Sequence, residues 1–372
     1  MIYFDNAATG FPKSEHVFEA MRHAFFECGN AGRSGHSLAE EGARLIFDCR
    51  KAAGSLFGCE PEQVVLTKNA TEALNIAVKG LYKPGKKNEV LISSLEHNSV
   101  LRPVHKLSLS GKVKIKQFEV DLYDDDKTIN NFYEQISNKT SMVVCLHASN
   151  VCGRKLPIKR LSEIAKEFGA VFILDAAQTA GYIPLSCEEL EVDIMCIPGH
   201  KGLCGPMGTG LMVVNQKSNL TFETIMEGGS GVSSFDKGMP AFLPERLEYG
   251  TQNICGYAGL AAAVSEHSYP IGLTEIFSYL LEEISKREDI TLHGAPQGNI
   301  TDYTPVLLFN KKGVSCEQVA ARLNENKIAV RAGYHCSPLA HASLGTKKTG
   351  GVRISLGSAN TTEEIDYFLN AL

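Results

Sequence analysis

Between about residues 60 and 215 the chain alternates two hydrophobic periods. Short β-branched apolar runs lie at 63–67 (QVVLT), 89–94 (EVLISS), 141–149 (SMVVCLHAS), 171–175 (VFILD), 192–197 (VDIMCI) and 210–214 (GLMVV). Segments with apolar residues at helical spacing separate them. Continuous apolar runs joined by amphipathic helices predict βαβ units and a mostly parallel sheet covered on both faces. Helix ends are also legible. Ser37 and Glu40 have capping-box spacing ahead of a long amphipathic helix, and Gly169 closes a helix that begins near Pro157. After residue 255 the pattern changes. An apolar helix (GYAGLAAAVSEHS) leads to the helix FSYLLEEISKRE, the strand PVLLF, and the helix SCEQVAARLNENK with Ser315 and Gln318 at capping-box spacing. The strands IAVRAG and GVRISL and a last helix from Thr361 follow. The expectation is an α/β chain in two parts: a large unit over 16–255 and a smaller α+β unit over 256–372. Segment 1–15 is expected to pack on the smaller one.

Composition narrows the classes. The 372 residues are 44% hydrophobic and 21% charged, with net charge −5, as in an ordinary globular enzyme or binding protein. No basic stripe interleaves with aromatics, which argues against a nucleic-acid partner. Residues 124–126, three aspartates in a row, read as a solvated loop. No run of 18 apolar residues or signal-like leader is visible, so neither membrane nor secretion is expected. Eleven cysteines without framework spacing read as reduced thiols of a cytoplasmic protein.

The polar residues that follow the strands carry the chemistry. Thr71 opens a helix after the first run, His97 and Asn98 follow the second, and Asn150 the third. Asp175 and Gln178 follow the fourth, and His200 and Lys201 the fifth. In an open α/β sheet the ligand binds outside the carboxyl ends of the strands. Dinucleotide and nucleotide phosphate loops are absent, as is a G-x-S-x-G elbow. The groups Cys145, His147, Cys152 and His335, Cys336, His341 match no structural-zinc spacing, so no metal is expected. A lysine kept partly dry is a Schiff-base nucleophile, a carboxylate can hold an aromatic nitrogen protonated, and a helix N-terminus seats phosphate. Lys201, Asp175 and Thr71 thereby supply the three contacts that pyridoxal phosphate (PLP) requires. The glycines after Lys201 would let backbone approach that cofactor closely.

Ten segments, in order, carry a resemblance over nearly the whole chain: DNAAT (5–9), NATEALN (69–75), EHNS (96–99), HASN (147–150), DAAQ (175–178), GHK (199–201), GPMGTG (205–210), EYGTQN (248–253), RAGYHC (331–336) and GVRISL (351–356). The sequence resembles the class V aminotransferase family, in its cysteine desulfurase and selenocysteine lyase group. That implies the PLP-dependent transferase fold type I: a large domain with a mostly parallel, seven-stranded type of sheet, plus a smaller α+β C-terminal domain. The resemblance further implies that Lys201 bonds PLP covalently, His97 stacks on its ring, Asp175 pairs with the ring nitrogen and Gln178 with the phenolic oxygen. Ala70, Thr71 and His200 would hold the phosphate, joined by Thr251 of the partner subunit in a homodimer with a shared active site. Arg353 would clamp the carboxylate of an amino-acid substrate with Asn150 beside it, and Asn6 and His36 would lie at the mouth. Pro198 stands where the family commonly has Ser or Thr, and GTQN replaces GTPN, which bears on cofactor affinity rather than chemistry.

Cys336 is set apart from the other ten cysteines, which sit in apolar or helical settings. It follows Arg331 and His335 in a turn-rich segment, the cationic surroundings of a reactive thiol. In the family the cysteine of this motif takes sulfur from the substrate as a persulfide. The short segment before GVRISL resembles the Suf-type subgroup. The expected activity is conversion of L-cysteine to L-alanine, with sulfur passed to an acceptor protein. Selenocysteine cleavage and transamination of another amino acid remain alternatives.

Overall fold

All six apolar runs become strands of one sheet, and the sheet has a seventh. The computed structural model describes residues 1–31, 35–111 and 113–372. Across the sheet the order is Val64–Thr67, Gly210–Val214, Ile194–Pro198, Val171–Asp175, Thr140–Leu146, Glu89–Ser93 and Lys114–Phe118. Gly210–Val214 runs antiparallel to both neighbours, and every other pairing is parallel. The seventh strand, Lys114–Phe118, pairs on one side only, and its burial is partial. Sequence reading misses it because an edge strand needs no continuous apolar run, and lysines there guard an open edge.

Alternation sends side chains to two layers. Leu91, Val143 and Leu174 point into a core that includes Ala53 and Phe57 of the helix Ser37–Phe57. Val90, Val144 and Ile173 meet Leu74 and Ala77 of the helix Ala70–Leu81 on the other face. Each fully buried Leu, Ile or Val contributes about 1.5–3 kcal/mol, so the rigid part of the molecule is the sheet centre. The polar strand ends are anchored to it.

Two local expectations need correction. The helix Ser37–Phe57 is capped by His36, whose Nδ1 accepts from the Ala39 N–H at 3.3 Å. The cap thus sits one residue before the Ser37…Glu40 pattern. The run IAVRAG is two strands. Ile328–Ala329 pairs with the N-terminal Ile2–Tyr3, whereas Arg331–Gly333 joins a four-stranded antiparallel sheet ordered Arg331–Gly333, Gly351–Ser355, Val306–Lys311, Ile290–His293. Ile290–His293 carries no fully buried residue, which is why hydrophobicity does not reveal it. The boxes at Ser315 with Gln318 and Thr361 with Glu364 form, and Gly169 ends the helix Ile158–Glu167 in the left-handed region.

The N-terminal segment reaches the second sheet. Phe4 is wholly buried with Phe309 and Phe368, and Asp5 bridges to Ser355. The helix Ile254–Ser265, apolar on all sides, packs on the helices Glu15–Glu27 and Ser37–Phe57 and sends Tyr257 and Leu260 into the first core. Among the described residues no helix is long and apolar enough to cross a membrane.

Candidate active site

The carboxyl ends of the parallel strands open into a cavity of about 240 Å³. Its lining includes Ala70, Thr71, His97, Asn150, Asp175, Gln178, His200, Lys201, Arg331, His335 and Arg353. Nine of those eleven are residues singled out from sequence. They come from both sheets, so the cavity lies where the second sheet meets the strand ends of the first.

Asp175 is the last residue of its strand and 4% exposed. Its Oδ1 accepts from the Ala177 N–H at 3.0 Å and its Oδ2 from the Ser99 hydroxyl at 3.3 Å. Burial pushes its carboxyl above the usual range, while Lys201 and these two donors oppose the shift. Lys201 follows the strand Ile194–Pro198 by three residues. Burial brings its ammonium down to about 8; Asp175 resists this, and Arg353 and Arg331 add to it. About a tenth of Lys201 is therefore a free amine at pH 7, far more than of an ordinary lysine, and that is the form that attacks a carbonyl.

His97 caps the helix Asn98–Ser108, its Nδ1 accepting from the Ser99 N–H at 3.0 Å. An accepting Nδ1 leaves the proton on Nε2. Burial and the cations Lys201, Arg331 and Arg353 hold the ring down at about 4, so it is neutral. Ser99 thus touches both His97 and Asp175. Nothing in the sequence assigned Ser99 a role, although its place two residues after a capping histidine is the available signal. Gln178 donates through Nε2 to the Ala7 carbonyl at 3.1 Å, which turns its Oε1 the other way. His200 Nδ1 is buried without a partner. Ala70 and Thr71 occupy the first turn of a helix whose leading N–H groups have no intrahelical acceptor.

Gly202 and Gly210 do not serve the ligand side. A Cβ on Gly210 would lie 2.7 Å from the Asn69 Cα, and one on Gly202 would strike the Ala180 carbonyl. Gly202 lets the lysine loop pass the Ala180 carbonyl, and Gly210 lets the strand it opens pass the helix N-cap Asn69, so at these two positions the close approach is of chain against chain.

Arg353, on the strand Gly351–Ser355, is 1% exposed. It donates through Nη1 to the Asn150 carbonyl at 3.0 Å and pairs through Nη2 with Asp5. Its Nε is buried and has no partner, a charged donor waiting for an anion. The Asn150 side chain itself is committed elsewhere: Nδ2 donates to the His335 carbonyl at 2.8 Å and Oδ1 accepts from the Ser337 hydroxyl at 2.7 Å.

Cys336 does not line the cavity; it stands beside the lining residues Arg331 and His335. Of the eleven cysteines, it alone is exposed. Arg331 Nη2 approaches its Sγ at 3.9 Å. His335 and Cys336 both have φ in the left-handed region, 51° and 57°, which costs roughly 1–2 kcal/mol for each non-glycine residue. The turn persists because the Asn98 N–H holds the Cys336 carbonyl at 2.8 Å and Asn150 holds that of His335.

Besides Cys336, three predicted site residues are not brought into the cavity. Asn6 is buried behind it, its amide bonded to Ser355, Asn360 and the Phe11 N–H. His36 is exposed and spent on its helix cap. Thr251 is exposed on a loop whose Glu248 is anchored by Arg50 and the Leu66 N–H. Among the described residues, three metal-capable side chains converge away from the cavity, at His23, Cys28 and Glu41. Arg44 already donates twice to that carboxylate.

A mostly parallel seven-stranded sheet, a second antiparallel sheet closing over its strand ends, and a lysine beside a buried aspartate define fold type I. A model of the class-V aminotransferase family matches residues 2–368, and the chain belongs to that family. It is 32% identical to a probable cysteine desulfurase of Methanothermobacter thermautotrophicus, over 98% of this chain and 92% of the relative. It is 30% identical to a probable cysteine desulfurase of Pyrococcus abyssi, over all of this chain and 93% of the relative. Among solved structures, the apo cysteine desulfurase of Thermococcus onnurineus NA1 superposes with a TM-score of 0.88 at 29% identity, covering 99% of this chain and 93% of that one. The cysteine desulfurase CsdA of Escherichia coli, in an S-sulfonic acid form, gives 0.86 at 26% identity over 99% and 93%.

Proposed function

We propose that this protein is a PLP-dependent cysteine desulfurase. The observation that carries the reading is one cavity that joins a dry lysine, a buried carboxylate and an arginine with an unpartnered Nε, with the one exposed cysteine at its rim. The cavity fits the cofactor: the orphaned His200 Nδ1 and the open helix N-terminus at Ala70 and Thr71 suit a phosphate. Lys201 would hold the aldehyde, Asp175 the ring nitrogen, Gln178 the phenolic oxygen and His97 the ring face. Bound PLP supplies an electron sink for the charge that develops at the substrate Cα.

The chain's own groups do the rest. Arg353 receives the substrate carboxylate at Nε. Lys201 Nζ, a free amine once the substrate is bound, takes and returns the Cα proton. His97 Nε2–H gives a proton within the cavity, since its Nδ1 is tied to Ser99. Cys336 Sγ attacks the substrate sulfur. The Cβ–S bond breaks, an S–S bond forms, and L-cysteine plus the Cys336 thiol become L-alanine plus the Cys336 persulfide. An acceptor protein's thiol then removes the outer sulfur from its exposed position.

Thr251 of the partner subunit would complete the phosphate seat in a homodimer, and the exposed loop around Gly250 leaves it available for that. A division into 16–255 and 256–372, with 1–15 bound to the second part, agrees with the burial of Phe4 against the second sheet. A cytoplasmic location agrees with eleven cysteines free of disulfides.

Sulfide and alanine release from L-cysteine, with wild type beside Cys336→Ser, tests the function. Equimolar alanine with turnover lost in the variant supports it; a keto acid in place of alanine makes the protein a transaminase. Selenocysteine cleavage retained by the same variant marks a lyase activity as well. Borohydride reduction and peptide mapping should place the pyridoxyl mass on Lys201, and its appearance elsewhere defeats the cofactor assignment.

A further inference from the structure

His335 lines the cavity, but its ring does not end there. His335 Nδ1 lies 3.1 Å from His341 Nε2, and His341 Nδ1 lies 2.7 Å from the Thr346 hydroxyl. The two imidazole planes are 15° from parallel with centroids 5.3 Å apart, the spacing of rings joined edge to edge by that hydrogen bond. His335 is 3% exposed and His341 is wholly buried. On its other side His335 Nε2 lies 3.3 Å from the Arg331 carbonyl.

The carbonyl decides where the protons are. A carbonyl oxygen only accepts, so His335 carries its proton on Nε2 and its Nδ1 must accept. His341 then donates through Nε2, and its own Nδ1 accepts from Thr346. One directional chain results: Thr346 to His341 to His335 to the Arg331 carbonyl. Both rings are neutral in it, as their burial demands. Each link joins a different part of one segment, 331–346. That segment contains the two left-handed residues that present Cys336.

We propose that His341, backed by Thr346, is a positioning residue for the sulfur-accepting cysteine. By holding the His335 ring it locks the strained turn, so that Cys336 Sγ stays beside Arg331 at the cavity rim. This inference rests on Cys336 being the sulfur acceptor. His341 does not line the cavity; it reaches the turn through His335 and through an edge contact with the Tyr334 ring, centroids 5.5 Å apart. Asn150 grips the same turn through its backbone, and the histidine chain grips it through a side chain. Nothing in the local sequence marks His341 for this role, because it stands on the short helix Pro338–Ser343 among alanines and a leucine.

The test compares His341→Leu, His341→Gln and Thr346→Val in the loaded holoenzyme. Gln places an amide N–H near the position of Nε2 and should restore the link to His335, which Leu cannot. The expected result is that Leu lowers kcat for alanine formation about tenfold, as a misplaced reacting group does. KM for L-cysteine and the cofactor absorbance should stay as in wild type. Gln should recover most of the rate, and Val should lose about threefold on the same argument. Equal losses in Leu and Gln, or a loss carried by KM, would overturn the proposal.

A second readout needs no turnover. Nitrogen-15 spectra of histidine-labelled protein should show His335 and His341 neutral and protonated on Nε2, with the His335 Nδ1 signal displaced in His341→Leu. A His335 protonated on Nδ1 overturns the chain's direction. The function itself fails separately, if wild type releases no alanine from L-cysteine or Cys336→Ser keeps full turnover, and the spectra still judge the histidine chain in that event.

Discussion

The floor of the cavity and its rim are built by opposite means. Asp175, Lys201 and His97 each stand within a few residues of a buried strand, and two of them are held by neighbours close in sequence: Ala177 for Asp175 and Ser99 for His97. The turn that carries Cys336 is held by residues far away, Asn150 and Asn98, and by a histidine five residues on. The floor needs rigid, dry placement of charge, and the sheet provides it without strain. In the proposed function the rim exposes a thiol both to the cavity and to an acceptor, and it sits outside the sheet in a conformation that several clamps maintain. Removing a floor residue should therefore abolish chemistry, and loosening the rim should slow one step.

The sharpest break is Lys201→Ala. It should remove covalently bound pyridoxyl from the borohydride-treated protein and lower turnover by about 10³-fold or more, in line with loss of a positioned base and nucleophile. Residual covalent cofactor on another lysine would erase the distinction between floor and rim. Cys336→Ser comes next: about 10²-fold loss of alanine formation, with the cofactor absorbance of wild type, read in a single stopped-flow experiment. A changed absorbance would mean that the rim is part of the floor. Ser99→Ala should cost about fivefold through loss of its hydroxyl hydrogen bond to Asp175, typically about 1 kcal/mol. A shift of the pH–rate profile would accompany it, and an unchanged profile would remove Ser99 from the site.

The smallest effect concerns stability. Burial holds His97, His200 and His341 at about 4 and His147 and His335 at about 3, against an ordinary 6.5. On acidification the unfolded chain takes up protons on these rings from about pH 6.5, well before the folded chain does. Stability therefore falls as pH drops from about 6.5 towards 4. Glu96, raised to about 8 by burial, and Asp175 act the other way, but five rings outnumber two carboxyls. The melting temperature of the apoprotein, followed from pH 7 to 4.5, should decline steadily. A flat profile would show that the rings are not buried neutral.

Much of this was visible in the residues alone, because the physics that writes a parallel sheet also writes its active edge. Strands buried on both faces must be apolar throughout, so a polar residue at their carboxyl ends stands out; Asp175, Lys201 and His97 were found that way. Edge strands escaped for the converse reason, since Lys114–Phe118 and Ile290–His293 face solvent and need no apolar run. Of the glycines after Lys201, Gly202 and Gly210 are places of close approach where the approaching partner is the chain itself.

Sequence by itself settled which residues carry charge and nucleophilicity and which runs are buried, since both follow from side-chain chemistry and period. Only the tertiary structure decided what each polar group is free to do. It committed the Asn150 amide to the cysteine turn and Asn6 to the N-terminal segment, left Arg353 Nε and His200 Nδ1 without partners, and linked His335 to His341. Hydrogen-bond partners from distant segments are fixed by packing, and no local pattern records which donor remains unspent once the chain has closed.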